Sequence, residues 1–202
     1  MTFIYLQWRN INIYWCIYIS LYSVNILFLD GGFKMNNRVK KMVLAGLLVA
    51  LAIIIPVQFG FLKIVLGPFS ATLCSHVPMF LSMLISPVVA IVVGIGSGIG
   101  FFITGLPPYI AARALMHAPV GFIGAKIVQK EKNFKKAMLI TAPLHGILEA
   151  LIVIPFGFNL YEMLVVVALG TIVHHAMDAA ISFVLCNAMA KAKRKDLYSA
   201  FN

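Results

Sequence analysis

Ionisable side chains interrupt the apolar stretches of this sequence at the spacing of a helix. Three pairs lie four residues apart, so the members of each pair share one helix face: Arg113 and His117, His145 and Glu149, and His174 and Asp178. Such groups are costly inside a bilayer, so they usually face the interior of a bundle and mark the path of a ligand or ion. A guanidinium recognises anions through paired hydrogen bonds, and imidazole carries protons or binds metals.

The depth of these residues predicts one outward-facing pocket. In the orientation derived below, Arg113 and His117 fall in the outer half of their apolar stretch, and Glu149 falls near the middle of the next. We predict that the substrate-binding residues are Arg113, His117, His145, Glu149, Asn159, His174, His175 and Asp178. Arg113 is expected to bind an anionic ligand group, although Glu149 or Asp178 could pair with it or hold a cationic part of the ligand.

The elements that position these residues follow from composition. The 202 residues are 62% hydrophobic and only 11% charged, whereas soluble domains are about 45–50% apolar and about 25% charged. The chain is therefore predicted to be an all-α integral membrane protein. Six apolar segments, most of them long enough to cross a bilayer as a helix, cover residues 42–59, 70–85, 87–104, 109–128, 137–158 and 162–190. We expect a compact bundle of six transmembrane helices, in which the short second segment is buried among its neighbours.

The basic residues orient this bundle. They cluster before the first segment, around the connection between the fourth and fifth, and after the sixth. With six spans, all three clusters lie on one side of the membrane, and only Lys63 falls in a loop on the other. Because cytoplasmic loops carry the excess of Lys and Arg, both termini are predicted to be cytoplasmic in a multi-pass protein of a bacterial plasma membrane. The net charge of +10 is therefore not taken as a sign of nucleic-acid binding.

A change of composition at Met35 suggests the start of the domain. Residues 1–34 contain no Ala and no Pro, and Gly31 and Gly32 could be encoded by a ribosome-binding sequence. We expect Met35 to be the initiator, with residues 1–34 untranslated or a disordered N-terminal extension. Residues 35–195 would form the membrane domain, and residues 196–202 a short cytoplasmic tail.

The motifs of common enzymes and nucleotide sites are missing from the sequence. It has no His-Glu-x-x-His, no Gly-x-Ser-x-Gly and no phosphate-binding Gly-x-x-x-x-Gly-Lys-Ser/Thr. Glycines at 94 and 98, and at 96 and 100, instead predict close helix packing. The chain is therefore expected not to be an enzyme and to bind no cofactor of its own.

Two stretches carry a pattern found in one family of transport proteins. Residues 67–102 read GPFSATLCSHVPMFLSMLISPVVAIVVGIGSGIGFF, and residues 112–127 read ARALMHAPVGFIGAKI. They resemble the region of helices 2 and 3, and the fourth helix, of the substrate-binding S components of energy-coupling factor (ECF) vitamin transporters. The resemblance covers residues 35–195, and Ser86 departs from the glycine that usually precedes this proline.

The resemblance implies a mechanism and partners. An S component binds a vitamin or its precursor tightly from outside and docks on a membrane T component that carries two cytoplasmic ABC ATPases. These partners use ATP to make the S component topple and release its substrate inward. Gly46 and Ala50 would correspond to the family's docking surface on helix 1, and the loop of residues 60–69 would close the site. Niacin, pantothenate, the pyrimidine precursor of thiamine and riboflavin remain open as substrates.

A histidine-based uptake protein for cobalt or nickel is the alternative function. All five histidines lie in or beside apolar segments, and imidazole suits these metals. In the related metal-uptake family, however, a Met-His-Ile-Pro sequence begins the chain, whereas His76, Val77 and Pro78 are internal here. Each histidine could also serve only to hold the bundle together, and for His76 we expect this structural role.

Overall fold

Helices dominate the computed structural model, which describes residues 36–59, 61 and 63–201. The predicted start at Met35 and the segment before it lie outside the described residues. Helix α1 is Asn37–Gln58, followed by strands β1 (Lys63–Leu66) and β2 (Phe69–Thr72), and then α2 (Val77–Ile85), α3 (Pro87–Ile103), α4 (Pro108–Leu115), α5 (His117–Glu131), α6 (Phe134–Ile152) and α7 (Gly170–Ala192). A 3₁₀ turn, Ile154–Phe156, follows α6, and a π-helix, Glu162–Leu169, leads into α7.

Within the described residues, three helices are long and apolar enough to cross a membrane. They are Asn37–Gln58, Phe134–Phe156 and Glu162–Ala192, and Pro87–Ile103 is a shorter apolar helix. Large hydrophobic side chains face outward, as lipid contact requires; Met42 is 72% exposed and Leu139 is 76% exposed. The six-span bundle with cytoplasmic termini stays a prediction.

The second apolar segment differs from its prediction at its beginning. Residues 69–72 form the second strand of an antiparallel hairpin, in which Lys63 pairs with Thr72 and Leu66 with Phe69. Gly67 makes the turn with a φ of 53°, which favours glycine. The backbone N–H and C=O groups of residues 69–72 pair in the hairpin rather than in a helix. Helix α2 therefore begins only at Val77 and has nine residues. All nine are buried, as was expected for a segment too short to span.

The fourth segment is divided into two helices at Met116. Pro119 has no N–H to donate to the carbonyl of Leu115, so the helical hydrogen-bond ladder is interrupted there. The N–H of Met116 instead donates to the carbonyl of Arg113 at 2.9 Å. Arg113 therefore lies at the end of one helix and His117 begins the next.

The glycines of α3 permit the predicted close packing. A Cβ on Gly94 would lie 2.2 Å from the backbone nitrogen of Ala118 on α5, and a Cβ on Gly96 would lie 2.7 Å from the side chain of Val49 on α1. A Cβ on Gly98 would lie 2.4 Å from the side chain of Leu115, and a Cβ on Gly100 would lie 2.2 Å from that of Ile53. Two glycine faces thus hold α3 against α1 on one side and against the α4–α5 break on the other, so the prediction is confirmed.

We expect Gly94→Ala to destabilise the protein by about 1–3 kcal/mol, because the added methyl group meets backbone rather than a side chain that can move. Gly46→Ala is the matched control, since a Cβ at Gly46 meets nothing within 4 Å. The control should be neutral or stabilising by up to about 1 kcal/mol, through helix propensity. Thermal unfolding in detergent measures both, and equal melting temperatures would contradict this account of the packing.

Candidate functional site

A polar cavity lies between the hairpin and helices α4 to α7. Its volume is about 40 Å³, well below the range of about 300–1,000 Å³ that is usual for small-ligand pockets. A ligand larger than a few water molecules therefore requires the hairpin or the lining side chains to move. The lining residues are far apart in the sequence and come together only in the fold. They are Pro56, Lys63, Ser70, Thr72, Ser75, His76, Phe101, Leu106, Ile110, Arg113, Ala114, His117, Glu149 and His174.

The strongest contact in the cavity is a buried ion pair between α4 and α6. Nε and Nη2 of Arg113 donate to Oε2 of Glu149 at 2.9 and 2.7 Å. The third nitrogen, Nη1, donates to the carbonyl of Pro68 in the hairpin turn at 3.0 Å. The hydroxyl of Thr171 donates to the same carboxylate oxygen. Of the roles open to Arg113 from sequence, the structure has it paired with Glu149 and hydrogen-bonded through all three nitrogens.

A second buried carboxylate, Asp178 of α7, holds the chain just after the hairpin. Its two oxygens accept the backbone N–H groups of Cys74 at 2.8 Å and His76 at 2.9 Å. Nε2 of His174 lies 3.1 Å from Asp178 and also 3.1 Å from the carbonyl of Thr72. Asp178 is fully buried and lies behind the cavity wall, where it fixes the backbone that carries His76.

The other four histidines lie around His76. The centroid of its ring lies 4.3 Å from that of His174, 4.8 Å from that of His145 and 4.9 Å from that of His117. The ring of His175 is 6.4 Å away. The sequence predicted a structural role for His76, because this residue lies just before Pro78 in the short second apolar segment. The signal that could have placed His76 in the site is that it is an ionisable group inside an apolar segment, as the other four histidines are.

The structure brings together seven of the eight residues predicted to bind substrate. Arg113, His117, Glu149 and His174 line the cavity, while His145, His175 and Asp178 are buried directly behind it. Asn159 is exposed, and it exchanges hydrogen bonds with Glu162 at the start of the π-helix. Substrate binding by these residues stays a prediction.

Two polar residues of the hairpin, Lys63 and Thr72, are among the lining residues that were not predicted as ligands of the substrate. Lys63 of β1 was expected only as a charge on the outer side, yet it lines the cavity. Among the described residues, no carboxylate lies within ion-pair distance of it. Thr72 contributes its carbonyl from β2. The signal that could have found both was the turn pair Gly67-Pro68, which marks a hairpin that can fold back over the helices.

Two groups of side chains have the composition of metal sites. His76, His117, His145 and Glu149 each offer one ligand atom, and these atoms all lie within 4.8 Å of one another. His76, His174 and Asp178 form the second group. Imidazole with carboxylate suits divalent transition metals.

Comparison with known proteins shows one extended similarity. The chain is 34% identical over 177 residues to the niacin transporter NiaX of Lactococcus lactis subsp. cremoris (strain MG1363), and the match covers 80% of this chain and 79% of that protein. No family model matches the sequence. No solved structure matches it either.

Removing the arginine of the buried pair should destabilise the protein strongly. We expect Arg113→Ala to cost about 3–5 kcal/mol, because it leaves Glu149 as a buried carboxylate without its counter-charge. The double variant Arg113→Met, Glu149→Gln should recover much of this loss, since neither charge remains. Thermal and denaturant unfolding measure the effect, and Arg194→Ala is the control at an exposed arginine. An Arg113→Ala protein that unfolds like the control would refute the structural role of the pair.

Proposed function

Because this chain belongs to the substrate-binding S components of the energy-coupling factor (ECF) vitamin transporters, we propose that it binds niacin and delivers it to an ECF transport complex. It is a transporter rather than an enzyme, and a multi-pass protein of the bacterial plasma membrane. The observation that carries the choice of niacin is the similarity to a niacin transporter along 80% of the chain. Pantothenate, thiamine pyrimidine and riboflavin are the competing substrates.

The chemistry of the cavity supports a small aromatic acid. Nicotinate is a flat pyridine ring with one carboxylate, and it needs an apolar slot with a cation at one edge. Phe101, Leu106 and Ile110 supply apolar surface, and Lys63 supplies an ammonium group that pairs with no described carboxylate. Arg113 is already neutralised by Glu149. We therefore assign the substrate carboxylate to Lys63.

The hairpin is suited to cover the bound substrate. It contributes Lys63, Ser70 and Thr72 to the lining, so a ligand in the cavity would contact both strands. Its location matches the loop that the family resemblance expects to close the site. Substrate would enter when this hairpin moves and would be retained when it returns.

The proposed partners are a T component and two ABC ATPases that supply energy from ATP. Gly46 and Ala50 are the proposed docking residues on α1. Gly46 is exposed, and a Cβ added to it would have no neighbouring atom within 4 Å, so another helix could approach closely there. Leu44 and Leu48 of α1 are buried against the bundle, and Gly46 is on a different side of the helix.

Isothermal titration of the purified protein with each vitamin tests the substrate. We expect nicotinate to bind most tightly, ahead of nicotinamide, because only nicotinate carries the carboxylate. Lys63→Met should weaken nicotinate binding by about 1.5–3 kcal/mol, the value of a hydrogen bond to a charged group, which is roughly tenfold to more than a hundredfold in Kd.

Controls separate the substrate from its anchor. Lys63→Arg should retain most of the affinity, and Lys130→Met, at an exposed lysine of α5, should retain all of it. Tight binding of another vitamin in place of nicotinate would refute the substrate. Unchanged nicotinate affinity in Lys63→Met would refute the role of Lys63 while leaving the substrate in place.

Docking is tested by a bulky residue on α1. Gly46→Trp should abolish niacin uptake in cells that express the whole transporter, because the indole ring prevents close helix approach. Nicotinate binding to the isolated protein should stay unchanged. Val184→Trp is the control, since Val184 of α7 is 68% exposed and lies on another helix. Loss of binding together with uptake in Gly46→Trp would show that this face belongs to the fold or the site instead.

A further inference from the structure

The four side chains His76, His117, His145 and Glu149 form a buried cluster at the inner wall of the cavity. Nε2 of His145 lies 3.2 Å, and Nε2 of His117 lies 3.9 Å, from Oε1 of Glu149. The rings of His76, His117 and His145 are mutually about equally spaced, with centroids 4.8 to 5.1 Å apart. In a tetrahedral site with metal–ligand bonds of about 2.0–2.1 Å, the ligand atoms are about 3.4 Å apart. Small side-chain movements would bring this cluster to that geometry.

Hydrogen-bond partners fix the tautomer of His145. Nε2 of His175 lies 3.1 Å from the carbonyl of Met138, which only accepts, so this nitrogen carries the proton. In a neutral ring, Nδ1 of His175 is then an acceptor, and it lies 3.1 Å from Nδ1 of His145. A neutral His145 therefore donates from Nδ1, and its Nε2 then has a lone pair beside the carboxylate of Glu149.

The same reasoning fixes the tautomer of His117. The hydroxyl of Ser97 donates to the carbonyl of Gly94 at 2.8 Å, so its oxygen is left to accept. Nδ1 of His117 lies 3.4 Å from that oxygen and is its donor. Nε2 of His117 thus also has a lone pair beside Glu149. In metal sites, a ligating histidine donates its other N–H to a protein oxygen or a water in just this way.

The remaining polar atoms of the cluster are short of partners. Oε2 of Glu149 accepts from Arg113 and Thr171, whereas Oε1 lies 3.2 Å from Nε2 of His145 and 3.9 Å from Nε2 of His117. Nε2 of His145 and Nδ1 of His76 are buried and make no well-aligned hydrogen bond within the described part of the chain. Their neighbours are carboxylate oxygens, of Glu149 at 3.2 Å from His145 and of Asp178 at 3.3 Å from His76. The lone pairs of two neutral imidazoles and a carboxylate repel one another when they converge in this way, unless a proton or a metal cation lies among them.

We propose that His76, His117, His145 and Glu149 bind one divalent first-row transition-metal ion. Three imidazoles and one carboxylate suit Zn²⁺, and also Co²⁺ and Ni²⁺. His175 and Ser97 orient the ligating rings, and Arg113 holds the carboxylate from its other oxygen. His76, His117 and Glu149 also line the cavity, so the ion is accessible from it. The site is independent of which vitamin the protein carries.

The test is metal binding to the purified chain, without any vitamin. The protein carries a tag free of histidine, is stripped with a chelator, and is titrated with ZnCl₂ and CoCl₂. We expect one equivalent of Zn²⁺ to bind and to raise the melting temperature, since an ion that binds only the folded state stabilises it. One equivalent of Co²⁺ should give the visible absorption of a four-coordinate nitrogen and oxygen site.

Matched histidine variants locate the ion. His145→Gln should weaken Zn²⁺ binding by more than about a hundredfold, beyond the loss of tenfold to a hundredfold typical of an outer-shell partner. Ser97→Ala should fall within that outer-shell range. Asp196→Asn, at an exposed carboxylate near the C-terminus, is the control and should bind Zn²⁺ as the unaltered chain does. His174→Gln tests the neighbouring group with Asp178 and should weaken Zn²⁺ binding less than His145→Gln does.

Three results would overturn the proposal. They are no stoichiometric binding of Zn²⁺ or Co²⁺ by the unaltered chain, equal binding by His145→Gln, and loss of binding in His174→Gln but not in His145→Gln. If a variant fails to fold, X-ray absorption of the Zn²⁺-loaded unaltered chain decides, since it must show about three imidazole ligands. Because no vitamin is present, failure here leaves the niacin proposal standing, and failure of niacin binding leaves the metal site standing.

Discussion

The ion pair between Arg113 and Glu149 is the contact on which the rest of the site depends. Taking either charge out of water costs several kcal/mol, and that cost is offset only when geometry and additional hydrogen bonds are good. Here Arg113 uses all three of its nitrogens, and Thr171 adds a further donor to the carboxylate. The pair therefore joins α4, α6, α7 and the hairpin turn at one point. Because Arg113 binds Oε2 of Glu149, Oε1 faces His117 and His145.

The hairpin is anchored unevenly, and this determines which part of it can move. Backbone groups near Thr72 and His76 are tied to His174 and Asp178. Each of these hydrogen bonds contributes about 0.5–1.5 kcal/mol, more where the acceptor is charged. In β1, by contrast, Ile64 and Leu66 are about 60% exposed. Opening the cavity at β1 would break fewer buried contacts than lifting β2, so we expect the strand that carries Lys63 to move first when the hairpin opens.

Local spacing predicted the parts of the site that lie within single helices. The pairs at four-residue spacing in α6 and α7 do meet, with His145 beside Glu149 and His174 beside Asp178. Arg113 and His117 also line one cavity, although Met116 divides their helix. Asn159 was included from its position in a connection alone, and it caps the π-helix through Glu162 instead.

The contacts between distant segments could not be read from the sequence. His76 reaches the centre of the cluster because Asp178, 102 residues away, binds its backbone N–H. Lys63 enters the cavity because β1 pairs with β2, and hydropathy alone does not distinguish a short buried strand from the first turn of an apolar helix.

Charge connects the two proposals about the cavity. Arg113 and Glu149 cancel one another, so the ion pair adds little net charge to the wall of the cavity. A divalent ion among His76, His117 and His145 would make that wall positive. Lys63 adds a further positive charge from strand β1 of the hairpin. In a site of low dielectric such charges act strongly on a ligand. The cavity would then favour a carboxylate over the corresponding neutral amide without any contact that reads the amide itself, and the apolar side chains beside it would select for a flat ring.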